Sequence, residues 1–431
     1  MKKTIGEKIH SLAKELWPIN RSITGAGVRE TLYKIKEHLP KLEVQSVPSL
    51  TKAFDWVVPL EWEINEAYIV CPNGDKICDF KENNLHLVNY SVPINKTISL
   101  QQLEKKLFSL PNQPNAIPYV TSYYKEDWGF CISQNQRESL LPGKYKVYIN
   151  SRLFDGELNY GELFLPGKSR KEIFISTYIC HPSMANNELS GPTVLTYLIK
   201  WLMKRNSLYY SYRIVFIPET IGSIVYLSKN YKHLKKNVIA GYNVTCIGDD
   251  RTYSFLPSRK GVTLSDEMAK HVLGWKCHDY RKYTWNDRGS DERQYCSPGI
   301  DLPIASIMRT KYGQYPEYHT SLDDLENVVT PEGLGGGYEI LRLALEGLEN
   351  NVLPRVKTLC EPQLGKRDLY PNLSKKDSSA GVKTMMDFIS WSDGTNTLLD
   401  IANKVNVPIW ELYDILELLI KYNLIELIDR D

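Results

Sequence analysis

The feature that most constrains this chain is the strand–helix alternation across residues 156–355. EIFISTYIC, YRIVFIPE, NVIAGYNVTCIG and LPIASIMR read as near-continuous apolar strands. PTVLTYLIKWLMKR, SIVYLSKNY and DEMAKHVLG carry helical periodicity between them, and EGLGGGYEILRLALEGLENNV closes the run as a long helix. Strands apolar on both faces and separated by helices imply a parallel or mixed α/β sheet covered on both sides. In open sheets of this kind, ligands bind beyond the carboxyl ends of the strands. The search for chemistry therefore narrows to the loops that follow them.

The flanking stretches are organised around that unit. Ile5, Ile9, Leu12, Leu16 and Trp17 have the spacing of an amphipathic helix, and a second helix is expected from Val28 to His38. Residues 1–43 and 156–355 are expected to form one discontinuous domain. Residues 44–155 carry short β-rich pieces between Pro, Asn and Gly clusters and read as an inserted small domain. Residues 356–380 read as a linker. Residues 381–431 place Leu398, Ile401, Ala402, Val405, Leu412, Ile415, Leu416 and Leu419 at helical spacing before a short terminal strand, which resembles a winged-helix domain.

Composition removes several function classes. Basic residues number 53 and acidic residues 51, a net charge of +2. A nucleic-acid binder would show a basic excess. No apolar stretch approaches the roughly 20 residues of a membrane span. The first residues lack the apolar core of roughly 7 to 15 residues that a signal peptide needs. Eight cysteines are too few for a disulfide scaffold, and Cys180 and Cys246 sit in apolar runs as buried thiols. A cytoplasmic protein is expected, with no nucleic-acid or membrane partner. No glycine-rich phosphate loop follows a strand, and there is no GxSxG elbow.

Four loops after strands hold unusual polar residues. His181 follows EIFISTYIC, where an imidazole can bind metal, move protons or simply cap. Glu219 ends YRIVFIPE, where desolvation would raise its proton affinity as a general base requires; a helix-dipole role is the alternative. Asp249 and Asp250 follow the third strand and suit a divalent ion or a turn. His319 precedes the last helix with Asp323 and Asp324 downstream, as a ligand with a supporting carboxylate would. Two histidines and several carboxylates at successive strand ends favour a metal hydrolase.

The order of these segments resembles the zinc aminopeptidase superfamily of bacterial leucyl aminopeptidases and glutamate carboxypeptidases. The marks are His181 with Ser190-Gly191, Glu219 with Gly222-Ser223, Gly289-Ser290-Asp291 and Tyr318-His319-Thr320. PINRSITG, CHPSMAN and PETIG, with an inserted domain and a winged helix, are closer still to a bacterial family of aminopeptidase-like proteins. The resemblance implies His181 and His319 as zinc ligands, with Asn187 and Asp249 in or near further ligand places. It implies Glu219 as the base, Tyr318 as oxyanion stabiliser and Asp291 as a non-ligand aspartate near the site. Three places depart from the pattern: Asn187 stands for a bridging aspartate, Thr220 for a second glutamate, and Thr245 for an aspartate ligand that Asp249 or Asp250 would have to replace. One zinc or two is therefore expected, in a homo-oligomer acting on a small peptide or amide. The alternative is a catalytically degenerate binding or assembly module. The insert's aromatic cluster, Tyr119, Tyr123, Tyr124, Trp128 and Phe130, is expected partly to face the site.

Overall fold

A computed structural model describes residues 3–277, 279–367, 369 and 378–429. Eight strands form the central sheet: β1 (Glu43–Pro48), β2 (Glu157–Leu165), β3 (Glu172–Tyr178), β4 (Ser211–Ile217), β5 (Val238–Asn243), β6 (Ser254–Leu256), β7 (Arg281–Lys282) and β8 (Ile304–Met308). Their order is β1-β2-β4-β3-β5-β8-β6-β7. β3 runs parallel to both β4 and β5, and β5 parallel to β8. β1, β2 and β6 join antiparallel.

All seven residues of β3 are buried, so its two faces feed two different layers. Ile173 and Ile175 pack in one apolar cluster with α1 (Ile5–Leu16), α3 (Ser190–Leu202), α5 (Leu264–Lys276) and α7 (Pro331–Asn350). Phe174, together with Val215 and Ile217 of β4, packs against α4 (Ile221–Asn237). The N-terminal helix packs into the same core. Thr4 caps α1 reciprocally with Glu7, and α2 (Ala26–His38) follows a turn at Gly25 and Gly27. Gly25 has φ +103°, and a Cβ at Gly27 would lie 1.8 Å from the Asn20 carbonyl oxygen.

The inserted region is built on a separate four-stranded sheet containing Glu61–Val70, Lys144–Phe154, Ile94–Ser99 and Lys76–Ile77. The chain enters it later than residue 44: β1 is still an edge of the large sheet, pairing Glu43 with Glu162 through Pro48 with Glu157. Half-buried alternation marks edge strands of either domain alike, so only the partner β2 assigns it.

Of the expected linker, residues 368 and 370–377 lie outside the described residues. Beyond it, α8 (Ser378–Trp391), α9 (Leu398–Val405) and α10 (Leu412–Lys421) form the winged helix, closed by pairing of Leu353–Val356 with Ile425–Ile428. Its apolar side continues the main core through Ile401, Ile409, Leu412, Leu416 and Leu419. His271 of α5 anchors it: Nδ1 lies 2.7 Å from Asn403 Oδ1 and Nε2 accepts from the Ile409 amide at 2.9 Å. No helix among the described residues is long and apolar enough to cross a membrane.

Around α10, Glu411, Asp414 and Glu417 stand against Lys421. Phosphate contact needs cations, so the full-length protein is expected not to bind duplex DNA. Salt-sensitive retention of a duplex in a mobility-shift assay near physiological ionic strength would contradict this.

Candidate metal centre

The parallel strands deliver the site. His181 lies three residues beyond β3, Glu219 two beyond β4, Thr245 two beyond β5, and His319 in the loop between β8 and α7. The two imidazole rings converge, with centroids 5.6 Å apart. Glu219 Oε2 lies 3.6 Å from His181 Nε2. Tyr318 stacks on His319 at 3.9 Å and 16°. Burial holds both histidines far below their usual range, to about 3, so both rings are neutral, as metal ligation requires.

His181 is oriented from behind. Its Nδ1 lies 2.9 Å from Glu188 Oε2, which leaves Nε2 facing Glu219. Glu188 in turn lies 3.3 Å from Arg21 Nε. Arg21 is fully buried and also donates to the backbone carbonyls of His181 and Leu16. A carboxylate on the far nitrogen of a histidine fixes the tautomer and raises the basicity of the near one. The supporting carboxylate expected beside His319 is Asp323 or Asp324; Asp324 accepts from the Glu326 and Asn327 amides. Instead Asp323 accepts from the Asn186 and Asn187 amides at 2.7 and 3.0 Å and from Tyr315, and burial pushes it up to about 7.

Cys180, His181 and Glu188 also present ligand atoms within 4.8 Å of one another. That trio surrounds Nδ1, where Arg21 already supplies the cation, and burial pushes the Cys180 thiol well up. On the opposite face Nε2 lies beside Glu219 and the His319 ring, without the three bringing their ligand atoms within 4.8 Å of one another. Two imidazoles sharing one tetrahedral zinc at about 2.1 Å have ring centroids roughly 5 Å apart, close to the spacing here. A carboxylate oxygen 3.6 Å from Nε2 fits the same sphere.

Glu219 and Asp291 form an acidic pair. Asp291 Oδ1 accepts from the Thr220 amide and Ser223 Oγ, both at 2.8 Å, and its Oδ2 is buried with no partner among the described residues. Burial, reinforced by the neighbouring Asp291 charge, raises Glu219 to about 8; burial raises Asp291 to about 6. Thr220 and His319 have φ of +65° and +57°. Such values are outliers for a β-branched residue, and strain of this kind collects at functional sites. The Asp291 bond to the Thr220 amide is what holds the first of them.

The three departures from the expected ligand pattern are all neutral, and two of them, Asn187 and Thr245, are joined through Tyr178. Tyr178 Oη donates to Asn187 Oδ1 at 3.0 Å and lies 2.5 Å from Thr245 Oγ1. Asn187 Nδ2 is buried without a partner among the described residues. Asp249 is drawn elsewhere: it accepts from the Thr310 and Arg251 amides and from Asn186 Nδ2, and no described contact joins it to either histidine. Asp250 bonds Thr330 and lies 3.9 Å from Arg309.

Tyr119 of the insert reaches both histidines. The Tyr119 ring lies edge-on to His181 and to His319, 5.3 Å from each. Its amide donates to the His319 carbonyl at 2.8 Å, and its hydroxyl lies 2.6 Å from that of Tyr123. Phe130 instead fills the insert's own core. Glu188, Arg21 and Tyr178 are not identified as site residues from sequence, and Tyr119 is named only within the aromatic cluster expected partly to face the site. Only the aromatic density around Tyr119 signalled any of them.

The chain shares the fold of aminopeptidase-like domains and carries a C-terminal winged helix. The chain belongs to the family described as a domain of unknown function, DUF4910, whose model matches residues 10–351, and a winged helix-turn-helix model matches residues 351–427. A Clostridium acetobutylicum protein, provisionally named for polysaccharide biosynthesis with an aminopeptidase-like domain, is 44% identical over 401 residues, covering 93% of this chain and 91% of its own. A crystal structure from the same organism, provisionally called a peptidase, superposes with TM-score 0.92 at 42% identity, covering 98% of this chain and 96% of its own. A zinc aminopeptidase of Bacillus subtilis shares the fold at TM-score 0.57 and 13% identity, covering 80% of this chain and 94% of its own.

Proposed function

We propose that the protein is a zinc-dependent hydrolase of an amide or peptide bond. The observation that carries this reading is the approach of the His181 and His319 rings at strand-end loops, with Glu219 beside His181 Nε2 and Glu188 fixing His181 from behind. His181 and His319 would hold one zinc, with Glu219 as the carboxylate facing it. Zinc in such a site supplies a Lewis acid for the substrate carbonyl and acidifies water to a pKa of about 7. Glu219 would take the proton from the attacking water and hand it to the leaving amine. Its raised proton affinity suits that exchange near neutral pH, and a neighbouring dication would favour the ionised form it needs to begin. Tyr318, its phenol kept protonated by burial, would donate to the developing oxyanion. Asp291 would keep Glu219 oriented through Thr220. A cytoplasmic setting belongs to the same proposal and is supported by eight cysteines without a disulfide.

The neutral Asn187–Tyr178–Thr245 chain favours a second reading, a degenerate binding module without turnover. Metal analysis after dialysis separates the two. One retained zinc equivalent, with turnover of any member of a panel of aminoacyl amides, N-acyl amino acids and N-acyl sugars, supports the hydrolase. A metal-free protein inert to the whole panel supports the module. Asn187→Asp probes the missing bridge. The buried carboxylate should destabilise the zinc-free protein by about 1–3 kcal/mol and raise zinc stoichiometry towards two. Unchanged stoichiometry and zinc affinity would show that Asn187 does not occupy a bridging place.

A further inference from the structure

The candidate metal centre lies past the closing ends of β3 and β4. The opening ends of the same strands border a cleft of about 800 Å³, a volume in the range of pockets that hold small molecules. β3 spans roughly 20 Å from Glu172 to Tyr178 at about 3.3 Å per residue, and His181 lies three residues further on. A ligand seated in this cleft is therefore out of reach of the two histidines.

Lys168, Arg170 and Lys171 line the cleft from the turn between β2 and β3, and Lys236 lines it from the last turn of α4. Lys171 is half-buried and the others are exposed, and none of the four makes an ion pair among the described residues. Lys235, by contrast, is engaged: its ammonium donates to the Gly299 carbonyl, beyond α6 (Glu292–Tyr295), at 2.5 Å. A lysine at a helix C-terminus complements the dipole, which accounts for Lys236 but not for three cations on the turn. The turn itself is pinned. The Lys168 and Ser169 amides donate to the Leu208 and Tyr209 carbonyls at 3.1 and 2.7 Å, and the Ser211 amide donates back to the Lys171 carbonyl at 3.0 Å. A Cβ at Gly167 would lie 2.3 Å from the Tyr210 carbonyl oxygen. The backbone that carries the three cations is thus set before any ligand arrives, which lowers the cost of binding.

The carboxylates beneath do not offset these charges. Arg213 donates from Nε and Nη2 to Glu172 at 2.7 and 3.1 Å and from Nη1 to Glu162 at 2.5 Å, and His233 Nε2 lies 2.6 Å from Glu172. With both carboxylates counted, five cations face two, a surplus of three in a chain whose whole net charge is +2. Unpaired like charges around one concave surface focus a field that draws in anions. A phosphate monoester carries about −1.5 to −2 at pH 7, so a diphosphate group comes to roughly −3. Phe164, an exposed aromatic on the same cleft, offers a surface to the organic half of such a ligand.

We propose that this cleft is a second binding site, for a small organic diphosphate held between the 168–171 turn and Lys236. It is independent of the hydrolase reading. Inorganic pyrophosphate is the probe, titrated calorimetrically into the full-length protein before and after chelation, because pyrophosphate also ligates metal. In both states it should bind more tightly than inorganic phosphate, and less tightly as salt rises. Arg170→Gln with Lys171→Gln should weaken it at least about tenfold, the scale of one charge-assisted hydrogen bond. Lys236→Gln, on the other element, should weaken it as well. Lys96→Gln with Lys146→Gln removes two exposed charges from the insert and should leave affinity unchanged. Equal losses in the insert variant would show that net charge, not the cleft, attracts the anion. Affinity unchanged in the Arg170 and Lys171 variant, binding lost only on chelation, or no binding at millimolar pyrophosphate would each overturn the site. Displacement of pyrophosphate by a duplex oligonucleotide would assign the cleft to nucleic acid and overturn it too.

Discussion

His319→Ala should leave the protein without tightly bound zinc, and His181→Ala should do the same. The two rings lie on separate loops and only the fold brings them together, so zinc bound there stabilises the native state alone. At free zinc a thousandfold above the dissociation constant that stabilisation is about 4 kcal/mol. Calorimetry gives the check. Chelation should lower the wild-type Tm by several degrees and leave the His319→Ala Tm unmoved. A His319→Ala protein that keeps a full zinc equivalent would mean that the ion sits elsewhere, with Cys180, His181 and Glu188 the first place to look.

The second large effect concerns stability rather than metal. Arg21 and Glu188 are both fully buried, and removing one strands the other's charge away from water. Arg21→Met should cost about 3–5 kcal/mol in denaturant unfolding, the scale for an uncompensated buried charge. Glu188→Gln should be nearly as damaging and should weaken zinc roughly 10–100-fold by loosening His181. The double variant, Arg21→Met with Glu188→Gln, should be more stable than the sum of the singles, because neither charge remains. Simple additivity would show that the pair matters by shape, not charge.

Sequence and structure agree where a signal is local. α1 and α2 follow from apolar spacing, and β3 to β5 from unbroken apolar runs. His181 and Glu219 are legible because a polar residue directly after such a run has few other places to go; His319 stands out instead as a histidine in the loop before the last helix. Asp249 shows where that logic stops. It also follows a buried strand, but the Thr310 amide, 61 residues later in the chain, captures its carboxylate. Glu188 fails in the opposite direction. It lies in a run that reads only as the opening of a helix, and its role exists because Arg21, more than 160 residues earlier, is folded against it. β1 is ambiguous for the same reason, since its pairing partner lies beyond the insert. Local sequence specifies where a strand ends; the loop that reaches back to that point is a tertiary fact.

The junction between insert and His319 loop carries a consequence for the order of assembly. The Ser321 amide donates to the Ile117 carbonyl, Ile117 donates back to Ser321 Oγ, and Tyr119 donates to His319. During synthesis the insert is complete well before residue 319 emerges, and domains generally fold as units from the N-terminus. The late loop then closes onto an edge already in place, as a latch closes on a fixed keeper. The second histidine is then set by a neighbour built earlier. A truncation within residues 117–121 would release that histidine without touching a single ligand.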